Sequence, residues 1–232
     1  LIAGRLRAVR ERIATACARS GRDPATVRLI GVSKTQPAAA VREAFAAGLA
    51  DFGENRVQEA EAKAEALAEL RAAGLRWHLI GHLQANKAKK AEALFDAVHS
   101  VDGEALAARL ARAAEEDGRV LPVLVQVDLA GEETKFGLAE DRLLATLEAM
   151  RGLASLRVDG LMVLPPYADD PETARPYFRR LRDLRDRASA FGLLAAGELS
   201  MGMSHDFEVA IEEGATMVRV GTALFGARGA GV

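Results

Sequence analysis

The chain has 232 residues, half of them hydrophobic and 28% charged, with 31 Lys and Arg set against 33 Asp and Glu for a formal net charge of -2. That balance describes a globular protein and excludes a chain-wide electrostatic bias toward nucleic acid or membrane surfaces. Cys17 is the one cysteine, which excludes an intrachain disulfide and a cysteine-rich metal site, and it is consistent with a reducing cytoplasm.

Leu1-Ile2-Ala3-Gly4-Arg5-Leu6-Arg7 is broken by arginines before an apolar core of signal-peptide length forms, so no export signal is expected. Nowhere do about 18 apolar residues run without a charge, so no membrane span is expected either. The chain begins without methionine, which reads as a trimmed start. From there to Arg19 the apolar positions Leu6, Val9, Ile13 and Ala16 recur three or four apart, one face of an amphipathic helix. Ser20-Gly21-Arg22-Asp23-Pro24 ends it.

Strand and helix patterns then alternate. The sequence predicts strands near 28–33, 50–53, 76–81, 97–101, 122–128, 157–163, 197–200 and 216–220, and helices near 37–47, 55–73, 85–93, 103–117, 140–150, 171–191 and 205–213. Gly48, Gly74, Gly118, Gly192 and Gly214 fall just past helix ends, where a C-cap is expected. Eight alternating units in a chain of this length imply a parallel sheet closed into a single-domain (β/α)8 barrel, a TIM barrel with an extra N-terminal helix. A doubly wound open sheet is the competing architecture, disfavoured because no G-x-G-x-x-G turn follows the first strand. Lys87, Lys89 and Lys90 are the densest basic cluster, and without interleaved aromatics they read as a solvated helix face rather than an RNA site.

In such a barrel the site lies where the strands end. Arg28-Leu29-Ile30-Gly31-Val32-Ser33-Lys34-Thr35 ends in a lysine. A poorly solvated amine at a barrel rim can attack an aldehyde, whereas a plain strand-end lysine reaches into water. The second strand runs into Gly53-Glu54-Asn55-Arg56, and Asn55 reads either as a ring-hydroxyl partner or as a helix cap. His78 and His82 stand four apart around the third strand's end; a zinc pair would need a third ligand, so no metal is expected, and His78 is taken to point into the barrel near the ligand's ring.

Ser200-Met201-Gly202-Met203-Ser204 and Arg219-Val220-Gly221-Thr222 offer glycines, hydroxyls and a helix start for an anion, at the strands after which barrels often hold phosphate. Ser204 is equally a helix N-cap, and Gly221 with Thr222 equally a tight corner. A lysine with a phosphate cradle across the mouth suits pyridoxal 5'-phosphate. Arg219 either faces its pyridine nitrogen, weakening the ring as an electron sink, or pairs with a carboxylate such as Glu198.

These residues carry a resemblance. Ile30 to Thr35, Phe52 to Glu59, Trp77 to Lys87, Lys135-Phe136-Gly137, Gly160-Leu161-Met162, Leu199 to Ser204 with Asp206, and Val218 to Gly226 resemble the pyridoxal phosphate homeostasis proteins, over essentially the whole chain and with no departure at those positions. The resemblance implies a fold-type-III barrel like the N-terminal domain of alanine racemase, holding pyridoxal 5'-phosphate as an aldimine on Lys34. It implies phosphate contacts from Ser200, Gly221 and Thr222, with Arg219 at the pyridine nitrogen and Asn55 and His78 as further cofactor-site residues. It also implies a cytoplasmic protein that keeps the free cofactor and the amino-acid and keto-acid pools in balance, with amino acids and cofactor-dependent apo-enzymes as candidate partners.

No catalytic residue is expected. Racemisation needs a base on each face, in the racemases the second is a tyrosine from an additional domain of a partner subunit, and this chain stops at Val232 with only Tyr167 and Tyr177. A monomer is expected for the same reason. The alternatives are a weak amino-acid racemase using Lys34 and Tyr167, and a Schiff-base aldolase acting on a phosphorylated sugar.

Overall fold

The computed structural model describes residues 1–131 and 136–226. Its strands are β1 (Arg28–Val32), β2 (Asp51–Glu54), β3 (Arg76–Leu79), β4 (Ala97–Val101), β5 (Leu121–Asp128), β6 (Leu138–Ala139), β7 (Leu156–Met162), β8 (Glu198–Met203) and β9 (Met217–Val220). All pair in parallel. The ring β1-β2-β3-β4-β5-β7-β8-β9 closes on itself through the β1–β9 and β4–β5 pairings, a (β/α)8 barrel. The two-residue β6 hangs on the end of β5 outside that ring. It was not anticipated, because two residues carry no periodicity.

The helices are α1 (Ile2–Arg19), α2 (Ala38–Ala46), α3 (Val57–Ala66), α4 (Ala68–Ala72), α5 (Ala88–Leu94), α6 (Glu104–Glu116), α7 (Leu143–Met150), α8 (Arg175–Ala190), α9 (Phe207–Glu212) and α10 (Thr222–Phe225). The single helix expected over 55–73 is broken at Leu67, whose φ of -128° and ψ of 25° let its side chain turn into the core. The helices expected from 85, 140 and 171 each open with a 3-10 turn. The five C-cap glycines all take positive φ, as their position past each helix end requires.

Strand alternation divides the barrel into two cores. Phe52 and Trp77 face outward, their rings 6.0 Å apart beneath the helices, while the next residue along each strand turns inward. A fully buried Leu or Phe contributes about 1.5–3 kcal/mol. The stripe Leu6, Val9, Ile13, Ala16 of α1 is buried against α9 and α10. Arg12 fastens it there, its guanidinium 4.4 Å from the Phe207 ring centre and bonded to both Glu208 oxygens. Among the described residues, no helix is long and apolar enough to cross a membrane.

Candidate functional site

β1 ends at Val32, and Lys34 sits half-buried in the turn that follows. Its two neighbours are anchored. Ser33 donates its hydroxyl to Glu54 Oε1 at 2.6 Å, and its carbonyl accepts from Lys63 Nζ at 2.6 Å. On the other side, the Thr35 N–H donates to Glu59 Oε1. Lys63 Nζ joins these by bonding Glu54 Oε1 at 2.7 Å and Glu59 Oε1 at 2.8 Å. Thr35 has φ of 64°, the one non-glycine residue with positive φ among those described. A β-branched residue there stores about 1–3 kcal/mol of strain, so the turn presenting Lys34 is held by this cluster rather than by its own preference.

Burial is the largest influence on Glu54 and raises its carboxyl above the ordinary range despite Lys63 and Ser33. Glu54, Glu59 and Lys63 were not singled out from the sequence. The i, i+4 spacing of Glu59 and Lys63 is common on exposed helices, and nothing in it says that this lysine is buried.

The β8 and β9 ends lie beside this turn, since β9 pairs with β1. A Cβ on Gly221 would meet Val32 at 3.4 Å, and the Gly221 and Ala223 N–H groups donate to Ser204 Oγ at 3.0 and 3.3 Å. The lysine turn and the glycine segments are therefore neighbours on one arc of the rim, not opposite each other. Ser204 bridges to the start of α10 rather than capping the helix after it, which begins at Phe207 with Asp206 at the N-cap position. Gly202, at φ of 94°, passes so close to α9 that a Cβ would lie 2.6 Å from that of Ala210.

Ser200 lies elsewhere than expected. It is three residues short of the end of β8, wholly buried inside the barrel, where it accepts from Arg219 Nη1 at 2.6 Å and lies 2.9 Å from His99 Nδ1. Arg219 also donates to the Val163 carbonyl at 2.9 Å, so its described bonds go to Ser200 and Val163 and not to Glu198. Burial lowers the Arg219 pKa to about 10, with Asp206 opposing, which leaves it charged at neutral pH.

His78 is inside the barrel but at its floor. It bonds Asp51 Oδ1 at 2.8 Å and lines a cavity of about 340 Å3 with strand-starting residues such as Arg28, Arg76, Ala97 and Met217. The cause is strand stagger: His78 is level with Ala97, the first residue of β4. Sequence reasoning also passed over His99. Its signal was available, because a histidine inside the run Ala97 to Val101 had to find partners once buried.

Asn55 is half-buried just past β2 and does not cap α3, which starts at Val57 with Arg56 before it and no side-chain cap bond. With Arg56, His82, Gln84 and Lys87 it lines a cavity of about 640 Å3 on the outer side of the rim. His82 belongs to the loop, stacked on Phe136 at 3.5 Å and paired with Asp102 at 3.4 Å. Thr222 is exposed at the start of α10. Lys135 lies outside the described residues. Lys89 and Lys90 are paired with Glu116 and Glu61 on neighbouring helices. Among the described residues, no group of three or more His, Cys, Asp or Glu could hold a metal ion.

A closed parallel barrel with a lysine turn and an arginine at one rim defines a class, and residues 5–229 match the family of the alanine racemase N-terminal domain. The pyridoxal phosphate homeostasis protein of Aquifex aeolicus is 48% identical over 224 residues, covering 97% of each chain. The solved structure of PipY from Synechococcus elongatus with PLP bound superposes with a TM-score of 0.86 at 44% identity, covering 97% of this chain and all of that one. The alanine racemase of Streptomyces coelicolor, 21% identical with a TM-score of 0.69 over 94% of this chain and 58% of its own, shares the fold. The chain belongs to the family of pyridoxal phosphate homeostasis proteins.

Proposed function

We infer that this chain holds pyridoxal 5'-phosphate at the C-terminal rim of its barrel and serves to keep the free cofactor and its amino-acid and keto-acid partners in balance. Its relatives are named for pyridoxal phosphate homeostasis, and PipY is solved with PLP bound. The observation that carries the reading is the adjacency of the Lys34 turn to Gly221: β1 pairs with β9, Gly31 lies level with Val220, and a Cβ on Gly221 would meet Val32. That places the lysine turn and the glycine-bearing segment on neighbouring strand ends, where one phosphorylated aldehyde would meet both.

The donor set fits that group. When bound, the cofactor supplies an aldehyde that condenses with an amine. Lys34 is the amine, with its backbone fixed on both sides. Gly221 and Thr222 grip the phosphate, with Ser204 taking the place first expected of Ser200. Arg219 presents a permanent cation toward the ring nitrogen, which disfavours a proton there. Asn55 lies on the same rim, and His78 acts from the floor without touching the ligand.

The same features favour holding over turnover. A cation at the ring nitrogen weakens electron withdrawal, and Tyr167 is 78% exposed, too well solvated to be a poised second base. The reading takes the chain as one barrel domain acting as a monomer in the cytoplasm. Its test is the visible spectrum after incubation with pyridoxal 5'-phosphate: the native chain acquires a band that Lys34→Ala lacks, and a colourless native chain contradicts the reading. Incubation with L-alanine in deuterated water addresses the racemase alternative, which enzymic exchange of the α-hydrogen would support.

A further inference from the structure

Five side chains form an unbroken polar line through the barrel, from the rim to the floor. Arg219 Nη1 is 2.6 Å from Ser200 Oγ, Ser200 Oγ is 2.9 Å from His99 Nδ1, His99 Nε2 is 3.0 Å from His78 Nδ1, and His78 Nε2 is 2.8 Å from Asp51 Oδ1. None is more than 5% exposed. Asp51 ends the line against Arg76, which donates to both carboxylate oxygens at 2.8 Å.

The two ends restrict where the protons lie. Arg219 can only donate. Burial would raise the Asp51 carboxyl, but the bonds from Arg76 and His78 outweigh it and hold it well below the usual carboxylate range, so it only accepts. His78 therefore carries a proton on Nε2. His99 is neutral, because complete burial, first, and then the nearby guanidinium charges of Arg219 and Arg28 push its pKa well below the ordinary value. It has one N–H to place.

If that proton were on Nδ1, Nε2 would have to accept from His78 Nδ1, and His78 would be protonated on both nitrogens. That state adds a second buried cation to a line that already holds the buried Arg219, with Asp51 shared between it and the half-exposed Arg76. The remaining arrangement has Ser200 O–H donating to His99 Nδ1, His99 Nε2–H to His78 Nδ1, and His78 Nε2–H to Asp51. All the donors point away from the rim, and the line conducts no proton, since Arg219 is already protonated.

We propose that His99 is a positioning residue for Arg219: by accepting the hydrogen bond from the Ser200 O–H it turns a hydroxyl lone pair onto the guanidinium and fixes the arginine at the rim. Bonds polarised in one direction strengthen one another, so the Asp51 carboxylate at the floor is felt at Ser200. The value of this to the protein rests on the reading above that Arg219 faces the cofactor; the proton pattern itself does not.

The test is nitrogen-15 NMR of the full native chain without cofactor, compared with His99→Phe, which removes the acceptor, and His99→Asn, which keeps one near the Nδ1 position. The native chain is expected to show both His78 and His99 protonated on Nε2 alone, and the two Arg219 Nη signals separate because rotation is hindered. Those signals stay separate in His99→Asn and merge in His99→Phe. A proton on His99 Nδ1 in the native chain overturns the proposal, as does a His99→Phe chain whose Arg219 signals match the native ones. Should His99→Phe not fold, the native tautomers decide alone. Absence of a visible band after adding pyridoxal 5'-phosphate would defeat the functional reading and leave these NMR outcomes standing.

Discussion

Lys63 Nζ donates to the backbone carbonyl of Ser33 across 2.6 Å, so a buried ammonium on α3 grips the residue immediately before Lys34. The same ammonium bonds Glu54, whose side chain is fully buried. Removing one member of a buried ion pair leaves the other uncompensated, at a cost of about 3–5 kcal/mol. Lys63→Met is therefore expected to lose that much in denaturant unfolding, and Lys63→Met with Glu54→Gln to lose less than Lys63→Met alone. A Lys63→Met chain as stable as the native one would contradict the assignment.

Gly81 lies where β3's outgoing loop crosses Asn55, and a Cβ there would be 2.3 Å from the Asn55 carbonyl oxygen and 2.7 Å from its Cα. Both obstacles are backbone and cannot rotate away. Gly81→Ala is expected to cost about 1–3 kcal/mol as an overpacking substitution and to weaken cofactor uptake by displacing Asn55. Gly152→Ala, with nothing within 4 Å of the added atom, serves as the control. Equal melting temperatures for the two variants would mean that the Asn55 crossing is not constrained.

Asp51 gives the protein an acid dependence of definite sign. Burial raises its carboxyl, but Arg76 and His78 lower it by more, so its folded pKa lies below the unfolded value near 3.9. The stabilisation is complete above the unfolded pKa and is lost as pH falls toward the folded one. Asp51→Asn is expected to lower stability by about 1.5–3 kcal/mol at neutral pH, the scale of charged hydrogen bonds. That gap should shrink below about pH 4. Urea unfolding of both chains between pH 2 and 7 measures it, and a gap that is flat or widens in acid would contradict the pairing.

The barrel was legible because its signals are local and repeated. A strand-helix alternation such as Arg28 to Ala46 needs only periodicity and a capping glycine to be read, and the rim segments follow from strand order. What was not legible depends on stagger and burial. Ser200 and Ser204 look equally available in sequence, yet only the second stands past the strand's last residue. His78 looks like a rim residue until its level with the first residue of β4 puts it at the floor. Lys63 reads as an exposed helix lysine, and only closure of the ring brings Ser33, Glu54 and α3 together around it.

The central claim is that Lys34 is the amine that captures the cofactor's aldehyde. Borohydride reduction of the chain loaded with pyridoxal 5'-phosphate, followed by peptide mass mapping, measures this directly. The account predicts one reduced adduct, on Lys34, lost in Lys34→Ala. An adduct on another lysine with Lys34 unmodified would contradict it.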